Sequence, residues 1–156
     1  MFFDTPSNPK DLWPIDSRWP RRRAEALLRR FQVAFPEILY DMSWHSNTLN
    51  AQAFIVRDQR RVRLLGGLAR HRRLGFAGLA LALAHETGHH LGGPPYDAHY
   101  SWLSSEERAD KWALECGLSR VFPVIHVHSI AKKGVEEMAA LKGCTVPPNS
   151  RFISVP

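Results

Sequence analysis

Residues 75–90 read GFAGLALALAHETGHH, and this stretch decides the fold. Its first ten residues are apolar almost without a break, and Ala and Leu are strong helix formers. A helix that is apolar on nearly every side is buried rather than lying on the surface. Gly92-Gly93 and Pro94-Pro95 follow, and these residue types end helices. The sequence therefore predicts a buried helix whose last turns open into a loop.

The last turns of this predicted helix contain the pattern HExxH at residues 85–89. Residues four apart lie one turn apart on the same helix face, so His85 and His89 can direct two imidazoles at one metal ion. Glu86 lies about 100° around the helix, where it can reach a metal-held water without being a ligand. His90 points away from His89 and is expected to cap the helix or lie on the surface. The pattern predicts an open zinc site at the floor of a cleft.

A second helix is predicted after the loop of residues 92–103. Ser104 and Glu107 have the spacing of a capping box, in which the serine caps the helix and the glutamate reaches back to it. Glu106 and Asp110 then lie one turn apart on another face. A catalytic zinc usually takes three protein ligands and keeps one position for water. We therefore expect Glu106 to be the third ligand and Asp110 to support a ligand histidine, with Glu107 as the main competitor for the ligand position.

The two motifs together, HExxH at residues 85–89 and ExxAD at residues 106–110, resemble the paired motifs of gluzincins, the zinc metallopeptidases of the thermolysin-like clan. The resemblance implies one Zn²⁺ ion held by the two histidines and Glu106. It also implies that Asp110 supports one of these histidines. It also implies that Glu86 is the general base of a zinc-activated water that hydrolyses peptide bonds. The segment Asn50-Ala51-Gln52-Ala53 is similar to the edge strand on which gluzincins bind their peptide substrate.

Residues 106–113 are also similar to the glutamate helix of ImmA/IrrE-type regulatory peptidases, which cleave repressors by the same chemistry. The chain differs from them in its Gly-Gly-Pro-Pro loop and in lacking an evident pair of DNA-binding helices. The resemblance as a whole favours a small gluzincin that acts on a peptide or protein substrate. Such an enzyme needs a donor that stabilises the oxyanion. The candidates are Tyr100 and His99, followed by Tyr96, His126 and His128.

Outside the two motifs the sequence predicts a helix followed by a small sheet. Apolar residues at helical spacing run from Ser17 to Phe35, and Pro36 ends them. Alternating residues then predict strands over 38–44, 50–56 and 62–65, with a turn over 57–61 and with Gly66-Gly67 closing the sheet. After Pro123 the pattern weakens. Residues 124–130 are either a strand or an irregular apolar segment, and residues 135–141 are predicted to form a short helix.

These elements predict an α+β protein with a minimal zincin-like fold. A small mixed or antiparallel sheet would pack on the HExxH helix and on the glutamate helix. The length of 156 residues suits one domain. We expect an irregular N-terminal arm over 1–16, a single catalytic domain over 17–145 and a tail over 146–156.

The net charge of +6 comes largely from clusters of arginine. The clusters at 21–23 and 29–30 fall on the polar side of the first predicted helix, and the cluster at 57–63 falls in the predicted turn. A solvated surface explains them better than a nucleic-acid interface. The alternative function is a non-catalytic zinc-containing binding module that uses this basic surface. Structural zinc sites are normally closed by four ligands, commonly cysteines, whereas Cys116 lies nearly three helical turns beyond Glu106.

No stretch approaches the roughly 18 apolar residues that suggest a bilayer span, so no membrane segment is expected. The first residues, MFFDTP, lack the features of a signal peptide. The protein is therefore expected in the cytoplasm if Met1 is the natural start, with the periplasm or secretion left open if a leader was removed. Cys116 and Cys144 form either one disulfide or two reduced thiols. Nothing in the sequence indicates the oligomeric state.

Overall fold

The fold combines helices with one small sheet, and the computed structural model describes residues 6–145 of it. The predicted α+β class is confirmed, while the predicted tail lies outside the described residues. In chain order the elements are α1 (Arg18–Ala34), β1 (Ile38–Ser43), β2 (Ala51–Val56), β3 (Gln59–Leu65), α2 (Gly66–Ala69), α3 (Phe76–Leu91), α4 (Glu106–Trp112), α5 (Leu118–Val121) and α6 (Val124–Thr145). A 3-10 turn (Pro9–Asp11) precedes α1, and a π turn (Ala113–Gly117) joins α4 to α5.

The sheet is mixed, with strand order β1-β3-β2. β1 runs parallel to β3, whereas β2 and β3 form an antiparallel hairpin. Arg57 and Asp58 make the hairpin turn with φ of 50° and 62°. A two-residue turn with positive φ at both positions matches the right-handed twist of the strands it joins. The predicted turn over 57–61 was too long, because β3 already begins at Gln59.

Helix α3 is the central element, since every residue from Ala77 to His90 is buried. It packs against β2 and β3 on one side and against α1, α4 and α6 on the others. The ring of Phe31 lies 5.7 Å from that of Tyr40, and the ring of Phe35 lies 5.8 Å from that of Trp112, so α1 ties the sheet to α4. The prediction of a buried HExxH helix is confirmed. None of the described helices, α3 included, is long and apolar enough to cross a membrane.

The C-terminal part of the described chain was predicted only in part. Residues 135–141 are helical as predicted, but they belong to a longer helix, α6, which also includes residues 124–130, predicted as strand or irregular. β-branched residues such as Val124 and Ile125 favour strands locally. Tertiary packing overrides that preference, since α6 buries Met138 and Leu141 in the core. Gly134 lets α6 approach α3 closely, because a Cβ at this position would lie 2.8 Å from the Ala77 carbonyl oxygen.

The N-terminus of α3 is capped from α6. Its own N-cap residue is Gly75, which has no side chain to accept a hydrogen bond. Glu137 Oε2 instead accepts the backbone N–H groups of Gly75 at 2.9 Å and Gly78 at 2.7 Å. These donors would otherwise lack partners at the helix start, and a carboxylate also interacts favourably with the helix dipole there. The sequence pattern gave no sign of this cap, because the two elements are about sixty positions apart.

We expect Glu137→Ala to lower the free energy of unfolding by about 2 kcal/mol, because two hydrogen bonds to a charged acceptor are lost. For a chain of this size that corresponds to a fall in Tm of roughly 4–8 °C. Thermal unfolding followed by circular dichroism would measure it. Glu136→Ala is the matched control, since Glu136 is exposed and should cost less than about 0.5 kcal/mol. Equal losses in the two variants would refute the cap.

The described residues of the N-terminal arm, which include the 3-10 turn, are tied to the rest of the fold. Leu12 forms a bridge with His71, and Leu12 is buried. Arg70, with 3% of its surface exposed, donates to the carbonyl oxygens of Trp13 at 3.1 Å and Trp44 at 3.3 Å, and to Asn47 Oδ1 at 2.6 Å. One buried guanidinium therefore joins the arm to the loop after β1.

The π turn shifts the helical register after α4. Ala109 and Trp112 are buried, whereas Cys116, which an uninterrupted α-helix would place on the same face, is exposed. Gly117 and Leu118 are buried in its place. Cys116 is a free thiol, and the side chain of Cys144 lies outside the described part of the chain. Cys116 is therefore a reduced thiol in the structure.

Candidate metal centre

The two histidines of the HExxH motif lie side by side on α3, with ring centroids 4.6 Å apart and ring planes at 88°. Both are buried. His85 Nδ1–H donates to Asp110 Oδ1 at 2.7 Å, and His89 Nδ1–H donates to the Ser104 carbonyl oxygen at 2.7 Å. Because each Nδ1 is used in this way, each Nε2 is the ring nitrogen left to bind a metal ion. The structure places Asp110 where the sequence predicted it.

Glu106 begins α4 and faces both histidines. Its Oε2 lies 3.2 Å from His85 Nε2, and its Oε1 lies 3.6 Å from His89 Nε2. Ligands at zinc distances on a tetrahedron are about 3.3–3.5 Å from one another. His89 Nε2 is buried and has no hydrogen-bond partner among the described residues. The spacing and the donor types, two imidazoles and a carboxylate, fit a single zinc ion.

The structure corrects the reason for choosing Glu106. Ser105, not Ser104, caps α4, since its side chain accepts the backbone N–H of Arg108 at 3.2 Å. The third helical residue is thus an arginine, and no capping box exists. Glu107 is not held by a cap but lies exposed. Glu106 faces the histidines because of its position around α4, and not because Glu107 is used as a cap.

Close contact between α3 and α4 depends on a glycine inside the motif. A Cβ at Gly88 would lie 2.8 Å from the Ala109 carbonyl oxygen and 3.0 Å from the Ala109 Cα. The neighbour is backbone and cannot turn aside as a flexible side chain would. Gly88 therefore allows the two helix backbones to approach closely enough for the acidic residues of α4 to reach the histidines of α3.

Glu86 is buried beside the two histidines. Its ligand atom and theirs all lie within 4.8 Å of one another. The backbone N–H of Ala53 in β2 hydrogen-bonds its carboxylate, and burial raises the pKa of Glu86. Two carboxylates, those of Glu86 and Glu106, thus lie near the same pair of nitrogen atoms. The oxygens of Glu106 lie 3.2 and 3.6 Å from those nitrogens, and these distances fit direct ligation of one ion.

Without a metal, the site is organised around one positive charge. Burial acts to lower the pKa of His85, but hydrogen bonds to Asp110 and Glu106 outweigh it and raise that pKa to about 9. Burial, together with the charge on His85, lowers the pKa of His89 to about 4. Burial acts to raise the pKa of Glu106, yet the hydrogen bond from His85 brings it to about 2. Carboxylates surrounding two imidazoles form a site that favours a cation.

The predicted substrate strand lies at the sheet edge next to Glu86. Leu65 N–H donates to the Asn50 carbonyl oxygen at 3.0 Å, so this pair is hydrogen-bonded. Hydrogen-bonded pairs alternate along an antiparallel ladder. The backbone groups of Ala51, Ala53 and Ile55 therefore point away from β3, toward the edge of the sheet. Gln52, between them, points its backbone groups at β3. The strand predicted over 50–56 is thus present as β2 (Ala51–Val56), and it lies at an edge of the sheet.

The candidates for an oxyanion donor are spread over the surface. Tyr96, His99 and Tyr100 are exposed in the loop between α3 and α4, and His126 and His128 are exposed on α6. The ring of Tyr100 lies 6.1 Å from that of Trp102, and Trp102 in turn contacts the end of α3. This connection favours Tyr100 over the two histidines of α6 as a residue of the cleft.

His90 is the functional candidate that the sequence interpretation missed. It was expected to cap the helix or lie on the surface, but only 6% of its surface is exposed. Its Nε2–H donates to the Arg61 carbonyl oxygen at 2.8 Å, and its ring stacks on Trp102 with centroids 5.4 Å apart. His90 follows Glu86 by four residues, and this spacing places both on one helix face. That periodicity was the signal that could have identified it.

Comparison with known proteins identifies no relative, since no family model, no curated protein and no solved structure matches the chain.

Proposed function

We propose that this protein is a zinc-dependent metallopeptidase. His85, His89 and Glu106 would hold the ion, and Asp110 would orient His85. The observation that carries the proposal is the approach of the Glu106 carboxylate to both Nε2 atoms, 3.2 and 3.6 Å away. Both Nδ1 atoms already donate to protein oxygens at 2.7 Å, an arrangement typical of metal-ligating histidines. ImmA/IrrE-like peptidases share this chemistry and differ in substrate.

Zinc, when bound, would polarise the scissile carbonyl and lower the pKa of a water toward about 7. Glu86 would accept the proton of the attacking water and deliver it to the leaving amine, as a general base and then acid. Its position is supported by the Ala53 N–H, which fixes the carboxylate at the edge of β2. The outward backbone groups of Ala51 and Ile55 and the carbonyl oxygen of Ala53 would pair with the substrate as an added strand, since Glu86 takes the Ala53 N–H.

The alternative is a structural zinc site in a binding module. Glu86 is the specific reason to consider it, because its ligand atom lies within 4.8 Å of those of both histidines. A fourth ligand would close the site and leave no position for water. The hydrogen bond from the Ala53 N–H favours the open site. It holds the Glu86 carboxylate toward the edge of the sheet and not only toward the histidines.

Metal removal and restoration test the proposal. We expect the chelated protein to cleave no member of a quenched-fluorescence peptide library, and one equivalent of Zn²⁺ to restore cleavage. Zinc should also stabilise the fold by about 4 kcal/mol when free zinc is a thousandfold above its Kd, seen as a rise in Tm. Apoprotein with added Mg²⁺ is the control, because Mg²⁺ prefers oxygen ligands in octahedral geometry.

Two outcomes of this experiment would count against a peptidase. Tight, stoichiometric zinc binding with no cleavage across the library would indicate the structural site. Full cleavage by the chelated protein would show that the histidine pair is not the active centre.

A further inference from the structure

The N-terminal arm enters the described fold beside the loop that leads into β2. Pro6 forms an antiparallel bridge with Thr48, and the Ser7 N–H donates to the Asn47 carbonyl oxygen at 2.9 Å. Ser7 is buried in this contact. The chain continues from Thr48 into β2, which begins at Ala51. The arm is thus already paired with the segment that becomes β2.

The bridge sets a direction for the residues that precede Pro6. Because it is antiparallel, each step back from Pro6 corresponds to one step forward from Thr48, toward β2. Five residues in strand conformation span about 17 Å. Residues 1–5, continued in this register, would therefore run along the first half of β2 and extend as far as Ala53.

The bridge also sets a hydrogen-bonding phase. Proline has no backbone N–H, so Pro6 and Thr48 form a non-hydrogen-bonded pair. The bond from the Ser7 N–H to the Asn47 carbonyl oxygen marks the hydrogen-bonded pair beside it. Hydrogen-bonded and non-hydrogen-bonded pairs alternate along an antiparallel ladder. The odd-numbered residues of the arm are therefore the ones that would exchange hydrogen bonds with the segment opposite.

This phase matches the outward backbone groups of β2. In the register of the bridge, Phe3 would form a hydrogen-bonded pair with Ala51, and Phe2 would lie opposite Gln52 in a non-hydrogen-bonded pair. The backbone groups of Ala51 point away from β3, whereas those of Gln52 point toward it. The outward groups of β2 thus occur at the positions that the arm requires. Phenylalanine also favours strand conformation.

The edge that this register reaches is open in the described structure. The strand order β1-β3-β2 puts β2 at an edge, and within residues 6–145 no strand pairs with its outer side. An edge strand presents backbone N–H and C=O groups on which a further strand can form. The Ala53 N–H in this strand hydrogen-bonds the Glu86 carboxylate. A strand that extends to Ala53 therefore also reaches the candidate metal centre.

We propose that residues 1–5 pair with the outer edge of β2 as a fourth strand and compete there with the peptide substrate. The docking follows from the pairing of residues 6–7, whereas the competition also rests on the proposed peptidase function. Only one strand can occupy the edge at a time. A segment joined to its site by so short a connection has an effective concentration of about millimolar or more. Weak pairing therefore suffices to reduce substrate binding.

NMR of the full chain tests the docking without any catalysis. Alpha hydrogens face each other in a non-hydrogen-bonded antiparallel pair, in which the Cα atoms are about 4.5 Å apart. Phe2 and Gln52 should therefore show a strong NOE between their alpha protons. After correction for intrinsic rates, the Phe3 amide should exchange about tenfold more slowly than the Phe2 amide, because only the Phe3 N–H bonds to Ala51. Absence of the NOE, with equal exchange at both amides, overturns the docking.

Two proline variants of the zinc-loaded protein test the competition. Phe3→Pro removes the N–H that pairs with Ala51, whereas Phe2→Pro is the matched control because it removes an N–H that faces water. Proline is tolerated in an edge strand only at the second kind of position. We expect Phe3→Pro to lower KM for a library-derived peptide by about three- to tenfold with kcat unchanged. Phe2→Pro should match wild type.

The two measurements separate the docking from the proposed function. Equal KM values in wild type, Phe3→Pro and Phe2→Pro overturn the competition, whether or not the NOE is seen. Absence of cleavage in all three proteins removes the peptidase and the competition with it. The NOE between Phe2 and Gln52 decides the docking in that case too, because it requires neither zinc nor substrate.

Discussion

Glu86→Gln is expected to abolish peptide cleavage, lowering kcat by about a thousandfold or more, while zinc stays bound. Glutamine has the size of glutamate but cannot accept the proton of the attacking water, and general base catalysis is worth about 10²–10⁴ in rate. The fold should persist, because the amide oxygen can still accept the Ala53 N–H that now reaches the carboxylate. Steady-state kinetics on a library-derived peptide, together with zinc content by mass spectrometry, would measure both quantities.

This variant also separates the open site from the closed one. If Glu86 is a fourth ligand, Glu86→Gln will weaken zinc binding strongly, because a neutral amide replaces a ligating carboxylate. If the Glu86→Gln variant retains both zinc and cleavage, Glu86 is not the general base. Glu115→Gln is the control, since Glu115 is exposed on the π turn and faces Lys111 at 3.9 Å. It should match wild type in both measurements.

The sequence was most informative where the structure is local. Helix α3 could be predicted because its apolar run, its motif and its terminating glycines lie within one short segment. The spacing of Glu106 and Asp110 likewise follows from one helical turn. The two strands of the hairpin could likewise be predicted from neighbouring residues, although the turn between them was predicted too long. Each of these features depends on residues close together in the chain.

The failures came where distant contacts decide between local alternatives. Ser104 and Ser105 are both good caps, and the choice depends on Ser104 being held by Gly93 and His89. Residues 124–130 have strand-forming side chains, yet packing on α3 makes them helical. The cap from Glu137 also comes from elements that meet only in the folded state. No pattern within one segment contains that information.

The second large expected effect is the loss of zinc affinity when the third ligand is removed. We expect Glu106→Ala to weaken zinc binding by more than about a hundredfold, beyond the 10–100-fold typical of losing a residue that only orients a ligand. Its carboxylate oxygens lie 3.2 and 3.6 Å from the two Nε2 atoms. Its removal would leave two imidazoles to hold the ion. Competition with a chromophoric chelator at fixed pH would give the affinities.

The neighbouring acidic residues supply a graded comparison for Glu106→Ala. Asp110→Asn should cost about 10–100-fold in zinc affinity, because Asp110 accepts the His85 Nδ1–H at 2.7 Å and touches the ion only through that histidine. Glu107→Ala should cost almost nothing, since Glu107 is exposed and points about 100° away from Glu106 around α4. The expected order of loss is therefore Glu106, then Asp110, then Glu107. A larger loss from Glu107 than from Glu106 would mean that Glu107, not Glu106, faces the histidines and is the third ligand.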